Sequence, residues 1–404
     1  MRRVSITDLH SALSDIDLIF LPGVAAQPNG FLKIAAKWPG RLNQAKLVTG
    51  FVSGINDFSK LAPLGAPVSG FFPAPPQEKM QFSLIKESYL GIDSRLRTIR
   101  PEAIVVEVAP PRADGRCALG VAADFTETVL SAATLKLGII NSCLPDMPNA
   151  PHVSLDEFDC VAEHRSSILT VSDAQPNSVS LQIASNVASL VDNGTTVQLG
   201  IGRIPDQVMR ALQGHRRLRF HSGIITSGIR NLAERGVLAP GTSVTAASYG
   251  GDADFYSWLH GRQEFVLAPV SHTHASATLA EIDRFASINS AVEVDLLGQI
   301  NAEWVGQRQI SASGGLPDFA LAAQRAENSI AVIALPATSA NGDQSRIVPV
   351  LVKPPTIAQG GVDIIVTEYG IADLRGRSAT ECANAIVSIA APDFRQKLRD
   401  ELPG

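Results

Sequence analysis

Two glycine-rich runs offer places where bare backbone could meet a ligand. The run from Leu199 to Pro205, LGIGRIP, sets Gly200 and Gly202 between a strand-like stretch and a helical one, where exposed N–H groups can approach an anion or a carbonyl oxygen. A dinucleotide-binding loop would need a third glycine or alanine where Pro205 stands and an acidic residue about 20 positions on. No Asp or Glu occurs between Asp206 and Glu234, so nicotinamide binding is disfavoured, and a glycine turn with no ligand is the plain alternative. The second run, Ser311 to Phe319 (SASGGLPDF), carries Gly314 and Gly315 but lacks the Lys-Ser or Lys-Thr of a P-loop, which excludes a nucleoside triphosphate site of that kind. Paired glycines flanked by small serines still suit a loop that presses its backbone against a ligand.

The histidines suggest less. His272 and His274 have the i, i+2 spacing that would put both on one face of a strand, with His260 upstream, but no carboxylate or cysteine completes a zinc set. Surface or capping roles fit them better. His221-Ser222 invites comparison with a hydrolase triad, yet no G-x-S-x-G elbow surrounds the serine. Cys117, Cys143, Cys160 and Cys382 lie far apart without a C-x-x-C pair, which argues against a zinc site and a secreted disulfide framework and fits a reducing cytoplasm.

The elements that must position these residues read as α/β. Apolar runs of strand length alternate with stretches of helical period throughout. Ala103 to Val108 and Leu137 to Asn141 read as strands with a helix over Asp124 to Leu135 between them. Ser180 to Val191 reads as a helix, Thr195 to Leu199 as a strand, and Ile204 to Leu212 as a helix with Pro205 in its first turn. Phe220-His221 ends a further apolar strand, putting Gly223 at a strand-to-helix turn. Val292, Val294 and Leu296 alternate with Glu293 and Asp295 as in a half-buried strand. Ser378 and Glu381 have capping-box spacing, and Pro392 opens a last helix.

At 404 residues the chain exceeds the roughly 250–300 residues one hydrophobic core supports. Two domains are expected, 1–175 and 176–404, joined near the polar run VSDAQPNS (171–178). A formal net charge of −5 gives no global attraction to nucleic acid. The apolar run Leu18 to Ala26 is far short of the roughly 20 residues a membrane span needs, and Asp8, Asp15 and Asp17 interrupt a signal-like start. A cytoplasmic protein with no membrane or nucleic-acid partner is the expectation.

Several segments together resemble the family that contains acetyl-CoA hydrolase, 4-hydroxybutyrate CoA-transferase and succinyl-CoA:acetate CoA-transferase. They are LGIGRIPDQV (199–208), INSAVEVDLLGQINAE (288–303), SGGLPDF (313–319), SRIVP (345–349), VTEYGIADLRG (366–376) and IAAPDFRQKL (389–398), with FLPGVAAQP (20–28), the Asp114-Gly115 turn and NSCLPDMP (141–148) in the first half. The resemblance implies two similar open α/β domains with mostly parallel sheets, an acyl-CoA held at their junction, a carboxylic acid as co-substrate, a homodimer, and no permanently bound cofactor. It implies a ping-pong exchange in which a glutamate carboxylate attacks the thioester. Gln299 and the N–H of Gly315 would be the oxyanion donors. Gly200, Ile201, Gly202, Arg203, Ile204, Gly314 and Gly315 would line the acyl-CoA site, and Glu368 would support the catalytic centre. Arg203, Arg346, Lys353, Arg375 and Arg377 are candidates for contacts to the CoA phosphates.

The resemblance breaks at the nucleophile. The family carries His-Ser-Glu or His-Thr-Glu, and the matching run here is His221-Ser222-Gly223. Glycine supplies no carboxylate. Glu293, Glu303 and Glu368 lie in family runs, and Glu78 and Glu87 in the unmatched N-terminal stretch, as acids that could stand in. The expected function is therefore an acyl-CoA transferase or hydrolase acting on a small acyl-CoA, acetate metabolism included. The alternative is a catalytically silent acyl-CoA-binding homologue or partner subunit. A sugar-phosphate isomerase on a related fold is disfavoured, because fold alone would not reproduce the matched segments.

Overall fold

The computed structural model describes residues 1–37, 42, 44–75 and 80–402. The chain forms two compact units, one of residues 1–172 with 244–273, the other of residues 173–243 with 274–404. The segment 244–273 returns to the first unit without any break in composition to mark it.

The first unit is built on eight strands: β1 (Arg2–Arg3), β2 (Leu18–Leu21), β3 (Lys46–Thr49), β4 (Val68–Gly70), β5 (Phe82–Leu84), β6 (Ala103–Val108), β7 (Leu135–Ile140) and β8 (Cys160–Glu163), in the spatial order β1-β8-β7-β6-β2-β3-β4-β5. The strands of this sheet pair in parallel. Parallel sheets bury both faces, and all six residues of β6 are accordingly buried. The order reverses at β2, so the loops after β2 and β6 diverge there. The loop after β2 is tightly built. Val24 sits at φ +46, in a region β-branched residues avoid, and Asn56 holds it there: Val24 N–H donates to Asn56 Oδ1 (3.0 Å), while Asn56 Nδ2 donates to Val24 O (3.0 Å).

The second unit repeats the plan with β9 (Thr196–Leu199), β10 (Arg219–Thr226), β11 (Phe285–Ser290), β12 (Ile330–Ala334), β13 (Ile364–Thr367) and β14 (Gly370–Asp373), ordered β10-β9-β11-β12-β13-β14. The pairs from β10 across to β13 are parallel, and β14 turns back antiparallel. Helices α1 (Arg203–Ala211), α2 (Leu316–Arg325) and α3 (Ala379–Ser388) belong to this unit. The core draws on both α2 and α3: Phe319, Ala323, Ala383 and Ile386 pack with Phe285, Ile333 and Ile365 of the strands. The capping box at Ser378 and Glu381 forms as its spacing predicts, and Pro392 opens the last helix.

Some local readings shift. The helix expected over Asp124 to Leu135 is Thr126–Ala132, because Leu135 already belongs to β7. The strand expected from Ala291 to Leu296 is only Glu293–Asp295. Asp295, expected on its wet face, is fully buried. Its carboxylate accepts from the backbone N–H of Leu297 (3.1 Å), Gln299 (2.9 Å) and Leu351 (3.2 Å), which offsets the desolvation. Among the described residues no helix is long and apolar enough to cross a membrane.

The loops after β2 and β3 touch at glycine. A Cβ on Gly23 would lie 1.8 Å from the carbonyl oxygen of Gly50, so backbone itself would have to move. Gly23→Ala is expected to lower unfolding stability by about 3 kcal/mol or more, at the upper end of ordinary overpacking. Gly54→Ala, whose Cβ has nothing within 4 Å but whose φ is +84, should lose only about 1 kcal/mol. Urea unfolding of both variants checks the difference, and equal losses would contradict the close-contact account.

Candidate functional site

In an open parallel sheet the unsatisfied loop backbone gathers beyond the carboxyl ends of the strands, and ligands enter where successive connections diverge. In the second unit that point is β9, flanked by β10 and β11. A cavity of about 600 Å³ opens there, within the range of roughly 300–1,000 Å³ typical of small-molecule sites. Its walls come from the turn after β9 (Ile201 to Ile204), the end of β11 (Ser290, Ala291), the loop after β12 (Pro336 to Gly342) and Glu368 after β13. Gly202 makes the turn possible. At φ +117 it leads directly into α1, a conformation side chains rarely adopt. Arg346 also lines the cavity, its guanidinium donating to Thr338 O (3.1 Å) and Val292 O (3.0 Å). Glu368 Oε2 accepts from Ala337 N–H (2.9 Å), which fixes the carboxylate against the loop after β12.

The floor beneath this turn is a buried network of neutral amides. Gln198 Oε1 accepts from Ser287 Oγ (2.8 Å) and Asn289 Nδ2 (2.8 Å), and Gln198 Nε2 donates to Asn289 Oδ1 (3.1 Å). Gly200 lies over it, with Asn289 Oδ1 3.2 Å from where a Cβ would stand.

Gly223 is not at a strand-to-helix turn. The strand continues through Thr226 and the next helix starts at Ile229, so Gly223 has extended backbone that any residue adopts. The expectation failed because Ser222 and Gly223 look like a break, whereas Ser222 is buried and bonded across the sheet: its Oγ donates to Leu199 O (2.8 Å). The pairing Val197 with Phe220, carried three residues on, sets Gly223 beside Gly200 at the edge of the cavity turn.

A second group lies where His221 of β10 reaches Phe319 of α2. His221 meets Phe319 edge to face, ring centroids 6.5 Å apart, and His274 packs on the same Phe319 at 4.5 Å. His274 is not a surface residue, contrary to the sequence expectation; it follows a short helix, Val270–Thr273, and is fully buried. Burial first, and the nearby His221 second, push its imidazole down to about 3, so it is neutral at ordinary pH. Its Nε2 lies 2.4 Å from where a Cβ on Gly315 would stand, which requires glycine there. Gly315 is the N-cap of α2 and gives that end no side-chain cap, leaving the first N–H groups of the helix to other acceptors.

The sequence-derived residues thus divide. Ile201, Gly202, Arg203, Ile204 and Glu368 share the cavity, and Gly200 and Gly223 adjoin its turn. Gly314, at φ +59, and Gly315 belong with His274. Gln299, Gly314 and Gly315 are not among the cavity's lining residues, and the Gln299 side chain donates to Asp295 Oδ2 (2.9 Å). Of the basic candidates, Arg203 and Arg346 line the cavity. Arg375 and Arg377 border a smaller one of about 270 Å³, with Arg375 paired to Asp373, and Lys353 sits over Trp304. Among the acids, Glu293 accepts from Asn301 Nδ2 (2.9 Å) and Glu303 from Thr356 Oγ1 (3.1 Å). Glu78 lies outside the described residues. Sequence reading missed Glu107, a buried carboxylate near the end of β6 that accepts from Gly30 N–H (2.8 Å), Asn141 Nδ2 (2.6 Å) and Ser166 Oγ (3.1 Å). A lone Glu in an apolar strand was the available signal. Among the described residues no three His, Cys, Asp or Glu side chains stand together as a metal site requires.

A doubly built α/β chain with a glycine turn over a switch-point cavity is the class that fold and site define. The family model of the acetyl-CoA hydrolase/transferase C-terminal domain matches residues 251–402. The 4-hydroxybutyrate coenzyme A transferase of Clostridium kluyveri is 33% identical over 328 residues, covering 79% of this chain and 74% of that protein. Succinyl-CoA:cyclohexane-1-carboxylate CoA transferase of Geobacter metallireducens is 30% identical over 292 residues, 70% of this chain and 66% of that one. The crystal structure of 4-hydroxybutyrate CoA-transferase from Porphyromonas gingivalis superposes with a TM-score of 0.83 at 26% identity, covering 99% and 97% of the two chains. The chain belongs to the acetyl-CoA hydrolase and CoA-transferase family.

The depressed His274 makes a pH prediction. Unfolded, its imidazole titrates near 6.5; folded, near 3. Between these values the unfolded chain binds more protons, so this contribution to stability is complete above pH 6.5 and is lost as the pH falls toward 3. The thermal midpoint should drop between pH 7 and pH 4, and His274→Asn should drop less steeply over the same interval. Parallel curves would contradict the buried neutral imidazole.

Proposed function

We propose that this chain acts on the thioester of a small acyl-CoA, bound at the carboxyl ends of β9, β11, β12 and β13, and that it does so without the glutamyl intermediate of the transferases. The observation that carries the reading is the cavity. It brings the turn Ile201 to Ile204 together with Glu368 and Arg346, residues drawn from distant parts of the sequence, and Gly223 adjoins it with no carboxylate to offer. Backbone N–H groups at the glycine turn suit a carbonyl or phosphate oxygen, and Arg203 and Arg346 supply local positive charge on an acidic chain. Glu368 is tied to Ala337 N–H, which suits a carboxylate that orients its surroundings better than one that must swing into a thioester.

Calorimetric titration with acetyl-, propionyl-, butyryl- and succinyl-CoA tests the binding half of the proposal. Saturable binding that weakens at least several-fold in Gly202→Val, which closes the turn and strains φ, supports it; no heat with any ester at millimolar concentration would end it. The extended backbone of Gly223 supplies the chemical half. Gly223→Glu should fold with an unchanged melting profile and gain CoA transfer from acetyl-CoA or succinyl-CoA to a free carboxylate. Its glutamate should be trapped as a borohydride-reduced adduct, a modification the wild type should lack. A wild type that already transfers CoA through a labelled glutamate elsewhere would overturn the reading of an absent nucleophile.

A further inference from the structure

We propose that the chain is an acyl-CoA hydrolase in which Glu368, on the wall of the cavity, takes the proton from the attacking water; this rests on the acyl-CoA reading above.

Water attack on a thioester is eased by a group that accepts a proton while the C–O bond forms. Among the described residues that line the cavity, Glu368 is the sole carboxylate, and no histidine, cysteine or lysine stands with it. The other lining side chains are hydroxyls, amides, apolar groups and two arginines, none of which takes up a proton near neutral pH. Gly223, beside Gly200 at the edge of the cavity turn, brings no second carboxylate to compete for the carbonyl carbon. Base catalysis inside this cavity therefore falls to Glu368.

The backbone that carries this carboxylate is held still. Glu368 and Tyr369 form the two-residue turn between β13 and β14, closed by the pairing of Thr367 with Gly370. Thr367 is fully buried; its Oγ1 donates to Ile389 O (2.6 Å) and accepts from Tyr369 N–H (3.1 Å), while Asn186 Nδ2 donates to Thr367 O (2.9 Å). One oxygen of Glu368, Oε2, accepts from Ala337 N–H (2.9 Å). The other, Oε1, has no protein donor among the described residues. An ion pair would favour the charged carboxylate and weaken it as a base, and Arg346, which lines the same cavity, instead directs its guanidinium to Thr338 O and Val292 O. A carboxylate anchored by one oxygen can hold a water at the other without moving. A nucleophile would have to advance to the carbonyl carbon.

The step balances. A water oxygen forms a C–O bond to the thioester carbonyl carbon as its proton passes to Oε1 of Glu368, and the carbonyl oxygen takes the negative charge. Collapse breaks the C–S bond, the CoA thiolate takes the proton back from the Glu368 carboxyl group, and the acid product loses its own proton to solvent. Acyl-CoA and water give carboxylate, CoA thiol and one proton.

The test measures thiol release from the four esters together with their calorimetric affinity, in wild type, Glu368→Gln, Glu368→Ala and Glu368→Asp. Release by wild type is expected to be slower in D₂O and to place one solvent ¹⁸O in the acid. In Glu368→Gln the carboxamide oxygen still accepts from Ala337 N–H, so the loop after β12 stays anchored and only the base is removed. That variant should lose on the order of 100-fold or more in kcat with KM and ester affinity little changed. Glu368→Ala should lose as much and regain part of its rate with added formate, and Glu368→Asp should retain more of the rate than either. Hydrolysis that persists in folded Glu368→Gln and Glu368→Ala overturns the assignment. So does a borohydride-reduced adduct at Glu368, which would make it the nucleophile, and so do equal losses in all three variants without rescue by formate, which would mark a structural role. A wild type that binds the esters without releasing thiol overturns the hydrolase and leaves the acyl-CoA reading standing; failure to bind any ester removes both. Should every variant misfold, the wild-type isotope effect and label position decide: no effect of D₂O, or ¹⁸O absent from the acid, would refute water attack under general-base control.

Discussion

The parallel pairing of β9 to a neighbour on each side is the constraint from which the second unit's chemistry follows. A strand held on both edges has no lateral freedom, so the chain leaving it must turn sharply over the sheet's end. Its two neighbours in the sheet, β10 and β11, lie on opposite flanks. Their connections part company above β9 and leave a gap that no backbone closes. Gly202 is the conformational price of the turn, and the amides of Gln198 and Asn289 are what lies beneath it. The same logic runs in the first unit about β2, where Asn56 holds Val24 in a backbone conformation valine otherwise avoids.

Several buried carboxylates are held by backbone donors. Asp295 and Glu107 are both buried carboxylates, and each is met by main-chain N–H groups, Asp295 by three and Glu107 by that of Gly30. Buried charge without such donors is costly. Asp206 follows the same rule, accepting from Ala174 N–H (2.9 Å) and Thr226 Oγ1 (3.1 Å). Where β10 meets α2, His221 and His274 both pack against Phe319.

Much of this organisation is legible in the sequence because it rests on local signals. The alternation of strand and helix, the capping box at Ser378, and the glycine turn 200–204 each depend on residues within a few positions of one another. What escaped depends on contacts across the sheet. Gly223 read as a turn because serine and glycine usually are one, whereas the strand runs on through Thr226, with Ser222 bonded across the sheet to Leu199, 23 positions away. His274 read as a surface residue because nothing nearby in sequence announces that Phe319 will cover it. Asp295 read as solvated because alternation reports faces, and four donors arriving from a loop and a distant segment are invisible to it. Glu107 was lost inside an apolar strand for the same reason.

The extended backbone at position 223 has an evolutionary consequence. Glycine and glutamate codons can differ at their middle base alone, and a strand residue exchanges one for the other with no rearrangement of φ. Had this position been a left-handed turn, the chain would have needed compensating changes before a carboxylate could return. As built, a lineage could gain or lose a carboxylate at this position in one mutational step, with the cavity and its glycine turn already in place.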